Sequence, residues 1–213
     1  RAKVYVDRSE LKSYRFTLYH GYKVKQVTDQ TGAALDFRRE LDYVTVTRGG
    51  AAVEYLCLEY TGKSPKYYSS YAGVCLPANF AYYPIPGYRE LFSDNFYGFI
   101  DCSLPYDTAF DVRCSGRKQM YCNLAARGDN HFAGNARSIT LLSGYYDTLK
   151  LNDTLVVYPK YADKEIRARI KKNMGTFTKQ HRDIRTIFIM DTDNLTQYEH
   201  LRSYDGYVVT SSI

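Results

Sequence analysis

Two unbroken apolar runs constrain this chain more than any other feature: Thr154-Leu155-Val156-Val157-Tyr158 and Thr186-Ile187-Phe188-Ile189-Met190. A strand with one wet face alternates apolar and polar residues, so a run that is apolar throughout needs cover on both faces. Between the runs, Ile166, Ile170 and Met174 recur every four residues, while Lys164, Arg167, Arg169, Lys171 and Lys172 fill the remaining arc. That spacing predicts an amphipathic helix with a basic outer face. Asp163 can cap its start, and Gly175 can end it in the left-handed conformation. A second helix is expected from Asp191 or Asp193 to Gly206, with Leu195, Tyr198 and Leu201 inward, followed by a strand over 207–212. The order β-α-β-α-β predicts a layered unit of parallel strands with right-handed crossovers.

The rest of the chain reads as β structure, so the expected class is α+β: a β-rich N-terminal part followed by the layered unit. Residues 14–19 and 22–27 alternate large and polar side chains, with His20-Gly21 as a tight connection. The best hairpin signal is 43–47, then Arg48-Gly49-Gly50, then a return over 52–60. Residues 61–96 are loop-rich, with Pro65, Pro77, Pro84 and Pro86 arguing against a regular element. Further strands are expected at 97–102 and 139–142, and Arg127-Gly128-Asp129-Asn130 and Gly134-Asn135 mark loops. A boundary near 134–150 divides a tyrosine-rich, cysteine-containing domain (1–140) from an α/β unit (141–213), although the two can share one core.

Composition narrows the function classes only modestly. There are 23 Tyr and no Trp, and 29 basic residues against 23 acidic ones give a net charge of +6. A mild excess of this kind suits a solvated mixed surface better than a nucleic-acid interface. The apolar runs stop at about six residues, far short of the roughly 18 a membrane-spanning helix needs. No signal peptide is evident, and Arg1 is an unusual start, so a trimmed terminus is expected. Four of the five cysteines, Cys57, Cys75, Cys102, Cys114 and Cys122, could pair as disulfides, with the connectivity open. Two sequons, Asn152-Asp153-Thr154 and Asn194-Leu195-Thr196, are candidate glycosylation sites. Together these point to the secretory pathway or an extracellular location.

Several chemical motifs fail on spacing. Thr61-Gly62-Lys63-Ser64 has Cys57 where a phosphate loop needs glycine, and Pro65 where it needs a helix. Cys102, Cys114, Cys122 and His131 lack the short ligand pairs of a structural zinc site. The basic helix face has no aromatic recognition motif beside it, so a nucleic-acid partner is not expected. Asp191-Thr192-Asp193, at the carboxyl end of an expected parallel strand, could hold Mg²⁺ or Mn²⁺ against a diphosphate, though either aspartate also serves as a helix cap.

The segment 153–213 resembles the opening of the family 31 β1,3-galactosyltransferase-like glycosyltransferases. Arg167-Ala168-Arg169-Ile170-Lys171-Lys172-Asn173-Met174-Gly175 is similar to that family's Arg-x-x-Ile-Arg-x-x-Trp-Gly helix, with Met174 in the tryptophan position. Leu195, Glu199, Tyr204, Asp205 and Tyr207-Val208-Val209 fit its following helix and strand. The family's metal motif and catalytic base come later than Ile213, so the resemblance assigns no catalytic residue here. Two functions are expected. The first is a secreted or surface glycoprotein domain, non-catalytic as it stands, binding a glycan or a protein partner through Tyr82, Tyr83 and Tyr88. The alternative is a glycosyltransferase-like domain that uses a nucleotide sugar and a divalent metal at Asp191 and Asp193.

Overall fold

The computed structural model describes residues 1–6, 11–49, 52–64, 69–78, 81–90, 103–190 and 201–211. The chain forms two compact units, each assembled from two sequence segments: Arg1–Pro65 with Ala78–Cys102, and Lys66–Pro77 with Ser103–Ile213. This division is interleaved in sequence.

The first unit holds β1 (Ala2–Tyr5), β2 (Ser13–Thr17), β3 (Tyr22–Thr28), β4 (Phe37–Glu40), β5 (Tyr43–Thr47), β6 (Tyr55–Gly62) and the two-residue β8 (Ile85–Pro86). Its two sheets run in the orders β1-β6-β3 and β4-β5-β2-β8. Alternation does the work: Tyr14 and Phe16 of β2, Val44 and Val46 of β5, and Leu56 and Leu58 of β6 enter one buried cluster, while Arg15 and Thr47 face water. A bulge between Val24 and Gln26 inserts one residue into β3. Val24 and Val27 are thereby both buried despite their spacing of three, because the bulge resets the face.

The hairpin expected from 43–47 and 52–60 does not form. β5 pairs with β4 and β2, whereas β6 pairs with β1 and β3, so the two strands belong to different sheets. The segments expected to be joined by His20-Gly21 likewise lie in different sheets. The hairpin that does form is β4–β5, turning at Leu41 with φ 49. Leucine there carries no turn signal, because side chains other than Gly, Asn or Asp seldom adopt the left-handed region.

The second unit holds β7 (Gly73–Leu76), β9 (Thr108–Arg113), β10 (Met120–Cys122), β11 (Ala125–Gly128), β12 (His131–Ala136), β13 (Leu141–Gly144), β14 (Tyr146–Leu151), β15 (Thr154–Pro159), α1 (Lys164–Gln180), β16 (Thr186–Ile189), β17 (Leu201–Tyr204) and β18 (Tyr207–Thr210). Its sheets are β10-β13-β7, β11-β12-β9 and β14-β15-β16-β18-β17. In the last, β15 and β18 flank β16 in parallel and the outer pairs are antiparallel.

The expected α+β class with a layered β-α-β-α-β unit is overturned. Among the described residues the chain is mostly strand with one helix, arranged in several small, largely antiparallel sheets. The physical reason lies in how the five-stranded sheet is covered. One face carries α1: Ile170 packs with Val156, Ile187, Ile189 and Val208. The opposite face is covered by strands, with Val157, Phe188, Tyr207 and Val209 meeting Ala72, Cys75 and Leu142 from β7, β13 and the residue before β7. Of the second expected helix, Leu201–Tyr204 form β17 instead, and 191–200 lie outside the described residues.

Asp163 caps α1, its Oδ1 accepting from the Ile166 N–H at 2.8 Å. The helix does not stop at Gly175 but continues to Gln180. β7 and β13 are brought together by Gly73 facing Gly144. A Cβ on Gly73 would strike the Ser143 carbonyl, and one on Gly144 the Ala72 carbonyl, so both must be glycine. No helix among the described residues is long and apolar enough to cross a membrane.

Candidate functional site

The sheet β4-β5-β2-β8 shows its outer face to solvent, and a strap after β8 crosses that face. Pro86 and Ile85 pair with Phe16 and Thr17 of β2. Gly87, at φ 81, then redirects the chain, and its N–H donates to the Arg15 carbonyl at 2.8 Å. Thr17 clamps the strap from beneath: its Oγ1 donates to the Gly87 carbonyl at 2.9 Å and accepts from the Arg89 N–H at 2.7 Å. The result places Tyr88 over the sheet.

Tyr88 is 46% exposed. Its ring lies 4.5 Å from that of Tyr43, its hydroxyl is 2.7 Å from Thr45 Oγ1, and the Arg15 guanidinium sits 5.3 Å from its ring centre. Arg15 and Thr45 are cross-strand partners, and Arg38 is opposite Thr45 on the other side, where it pairs with Glu40. The surface is an aromatic shelf beside two guanidinium groups. Such a shelf can stack against planar or apolar groups and donate hydrogen bonds to carbonyls and carboxylates. It brings together no nucleophile and base.

The other expected site residues are placed differently. Tyr82 is 7% exposed; its ring meets that of Tyr83 edge-on at 4.9 Å, and its carbonyl accepts from the Tyr60 hydroxyl at 3.2 Å. Of the three tyrosines, only Tyr88 joins the shelf. Asp191 and Asp193, the expected metal ligands, lie outside the described residues. So do Asn194 and Cys102.

The expectation of disulfides is corrected, since Cys57, Cys75, Cys114 and Cys122 are free thiols. They are dispersed over the fold, Cys57 in β6, Cys75 in β7, Cys122 in β10 and Cys114 just after β9, and the buried ones act as small apolar side chains. Burial drives the Cys75 thiol far above its ordinary range, and burial first, with the neighbouring Cys114 adding to it, pushes Cys122 up to about 12. At the first sequon, Asn152 is exposed. Its amide donates to Thr178 Oγ1 at 3.1 Å. Thr154 of the same sequon is buried, with its hydroxyl donating to the Ile184 carbonyl at 2.7 Å.

Among the described residues, two histidine–carboxylate pairs lie outside the shelf. His20 Nδ1 is 3.0 Å from Asp42 Oδ1. His131 Nε2 is 3.1 Å from Asp111 Oδ2, whose other oxygen accepts from Arg113 Nε at 3.1 Å. The His131 bond, with Arg113 contributing, holds the Asp111 carboxyl below the usual carboxylate range. Neither pair has a third ligand: among the described residues no group of three or more His, Cys, Asp or Glu could hold a metal ion.

Sequence reasoning missed Arg15 and Tyr43. Their outward direction is readable from the alternation of β2 and β5, and Pro86-Gly87 signals the turn. Nothing in the sequence sets the cross-strand register that gathers them under Tyr88.

No protein-family model and no curated protein matches the chain. Solved structures do. Native leukotriene A4 hydrolase from Saccharomyces cerevisiae aligns over 97% of this chain and 36% of its own, at 10% identity and a TM-score of 0.59. A second structure of the native yeast hydrolase aligns over 98% of this chain and 36% of its own, at 10% identity and a TM-score of 0.62. A two-domain M1 zinc metallopeptidase bound to L-tryptophan aligns over 94% and 52%, at 10% identity and a TM-score of 0.49. The two yeast hydrolase structures replace the expected likeness to family 31 glycosyltransferases. What the chain shares with the yeast hydrolase is a fold, and it spans 36% of that protein's length.

Proposed function

We propose that this chain is the β-rich accessory part of a peptidase-type protein, offering its aromatic, basic shelf to peptide chains while hydrolysis is carried out elsewhere. The observation that carries this reading is the TM-score of 0.62 over 98% of the chain. It displaces both functions expected from sequence, the glycan- or protein-binding glycoprotein and the nucleotide-sugar transferase.

Zinc does not fit the residues present. The four histidines, His20, His131, His181 and His200, are nowhere spaced as His-Glu-x-x-His, and no three-ligand group exists among the described residues. The chain's own contribution is therefore recognition. Tyr88 supplies apolar area with few rotamers to freeze, and Arg15 and Arg38 supply guanidinium donors.

Titration with tri- to hexapeptides followed by NMR tests the reading. Shifts centred on Arg15, Tyr43 and Tyr88, with affinity weakened about fivefold or more in Tyr88→Ala, are the expected result. No shift at millimolar peptide would remove the shelf from the proposal. An aminoacyl-p-nitroanilide assay with added Zn²⁺ probes the accessory role separately. Turnover by this chain that a chelator abolishes would overturn it.

A further inference from the structure

Along β2 the alternation fails at one place. Ser13, Arg15 and Thr17 lie on the same face of the strand, the outer one. Arg15 is exposed there, as a residue on a wet face should be, yet Thr17 is 0% exposed. A buried hydroxyl is costly unless it is paired. What covers Thr17 is the strap, and its hydroxyl is paired with that strap twice. The Gly87 carbonyl that accepts from Oγ1 and the Arg89 N–H that donates to it belong to the two peptide units on either side of Tyr88. One hydroxyl, with one proton to give and lone pairs to receive, thereby closes on both.

Four sheet residues lie under the strap in two cross-strand pairs, Thr17 with Tyr43 and Arg15 with Thr45. Tyr43, Thr45 and Arg15 meet the Tyr88 side chain. Of the four, Thr17 is the one whose side chain binds the strap's main chain. The bond between Thr45 and the Tyr88 hydroxyl is exposed and competes with water, whereas the two Thr17 bonds are sheltered.

We propose that Thr17 is a positioning residue of the shelf: its hydroxyl latches both peptide units that flank Tyr88 and holds the phenol in place before a ligand arrives. This role rests on the reading of the shelf as a peptide-binding surface, and it supplies the reason such a surface can bind without first being ordered. A ring already fixed has less freedom to lose on binding. Replacing the hydroxyl by a methyl group nearly keeps the side chain's shape but leaves the Arg89 N–H without its acceptor and the Gly87 carbonyl without its donor. Those groups must then find water, and the strap has to lift to admit it.

The test compares the intact chain with Thr17→Val and Thr17→Ser, after circular dichroism and melting curves have confirmed that both variants are folded. NMR without ligand reads the latch directly. In Thr17→Val the Arg89 N–H should exchange about tenfold faster or more, and the backbone order parameter at Tyr88 should fall below about 0.6. The ring-current shifts between Tyr43 and Tyr88 should collapse. Thr17→Ser, which keeps the hydroxyl, should restore all three. Affinity for tri- to hexapeptides should weaken about fivefold in Thr17→Val and recover in Thr17→Ser. Tyr88 as ordered in Thr17→Val as in the wild type, a serine variant as loose as the valine one, or peptide affinity unchanged in Thr17→Val would overturn the positioning role. Peptide binding and the latch fail separately: a wild type that binds no peptide removes the peptide-binding reading of the shelf, while the Arg89 and Tyr88 signals still decide whether Thr17 holds the strap.

Discussion

The two units solve the same burial problem in opposite ways. In the first, each strand hides alternate residues and wets the others: Val44 and Val46 of β5 are buried while Thr47 is exposed. In the second, adjacent residues of β16 point to different covered faces. Ile187 meets α1 on one side, and Phe188 meets Ala72, Cys75 and Leu142 on the other. Alternation therefore marks a sheet with a free face, where a surface such as the Tyr88 shelf can develop. An unbroken apolar run marks a sheet with no free face, whose job is stability.

The sharpest way to break this contrast is to cut adjacent residues in each unit. Phe188→Ala is expected to cost about 4 kcal/mol and Ile187→Ala about 3 kcal/mol, measured by urea denaturation. In β5, Val46→Ala should cost about 2 kcal/mol, but its neighbour Thr47→Ala less than about 1 kcal/mol. Equal costs at Val46 and Thr47, or a negligible cost at either Ile187 or Phe188, would erase the distinction.

Glycines give the next largest effect. Gly144→Ala should cost about 3 kcal/mol, since φ is 149 and a Cβ meets the Ala72 backbone. Gly87→Ala has the same kind of backbone strain at φ 81 but open space around it, so about 1 kcal/mol is expected. Thermal melts of the two variants should rank in that order. At the start of α1, Asp163→Ala removes the acceptor for the Ile166 N–H and should cost about 1 kcal/mol by the same denaturation measurement.

The smallest effect is electrostatic and confined to the β9–β12 pair. His131 is the main cause of the lowered Asp111 pKa, followed by Arg113. A carboxylate depressed in the folded state adds stability at pH values above its unfolded pKa of 3.8 and loses it as pH falls through the lower folded value. The melting-temperature gap between wild type and Asp111→Asn should therefore be present at pH 6 and close as pH drops below 3.8. A gap that widens in acid would reverse the assignment. Because the groups are exposed, the gap itself should be small and should shrink in salt.

Some of this architecture was readable beforehand for definite reasons. Asp163 followed by Ile166, Ile170 and Met174 specifies a capped helix against an apolar surface, because capping and a four-residue spacing are local properties. The resemblance drawn from that same helix led towards glycosyltransferases and away from the fold observed. Arg-rich amphipathic helices next to apolar strands recur across unrelated folds, so the pattern identifies an element and no family. The shelf was half visible: Tyr88 was named, but Arg15 and Tyr43 reach it only through the β2–β5 register and the Thr17 clamp.

By itself, the sequence determined where apolar surface must be buried and which stretch must be helical, since both follow from spacings of two to four residues along the backbone. It could not say what would do the covering. That strands β7 and β13 close the second face of the large sheet, that β5 and β6 part into different sheets, and that Leu41 makes a turn are outcomes of tertiary structure. Each depends on contacts between residues far apart in the chain, where shape and register decide among partners that local chemistry leaves equivalent.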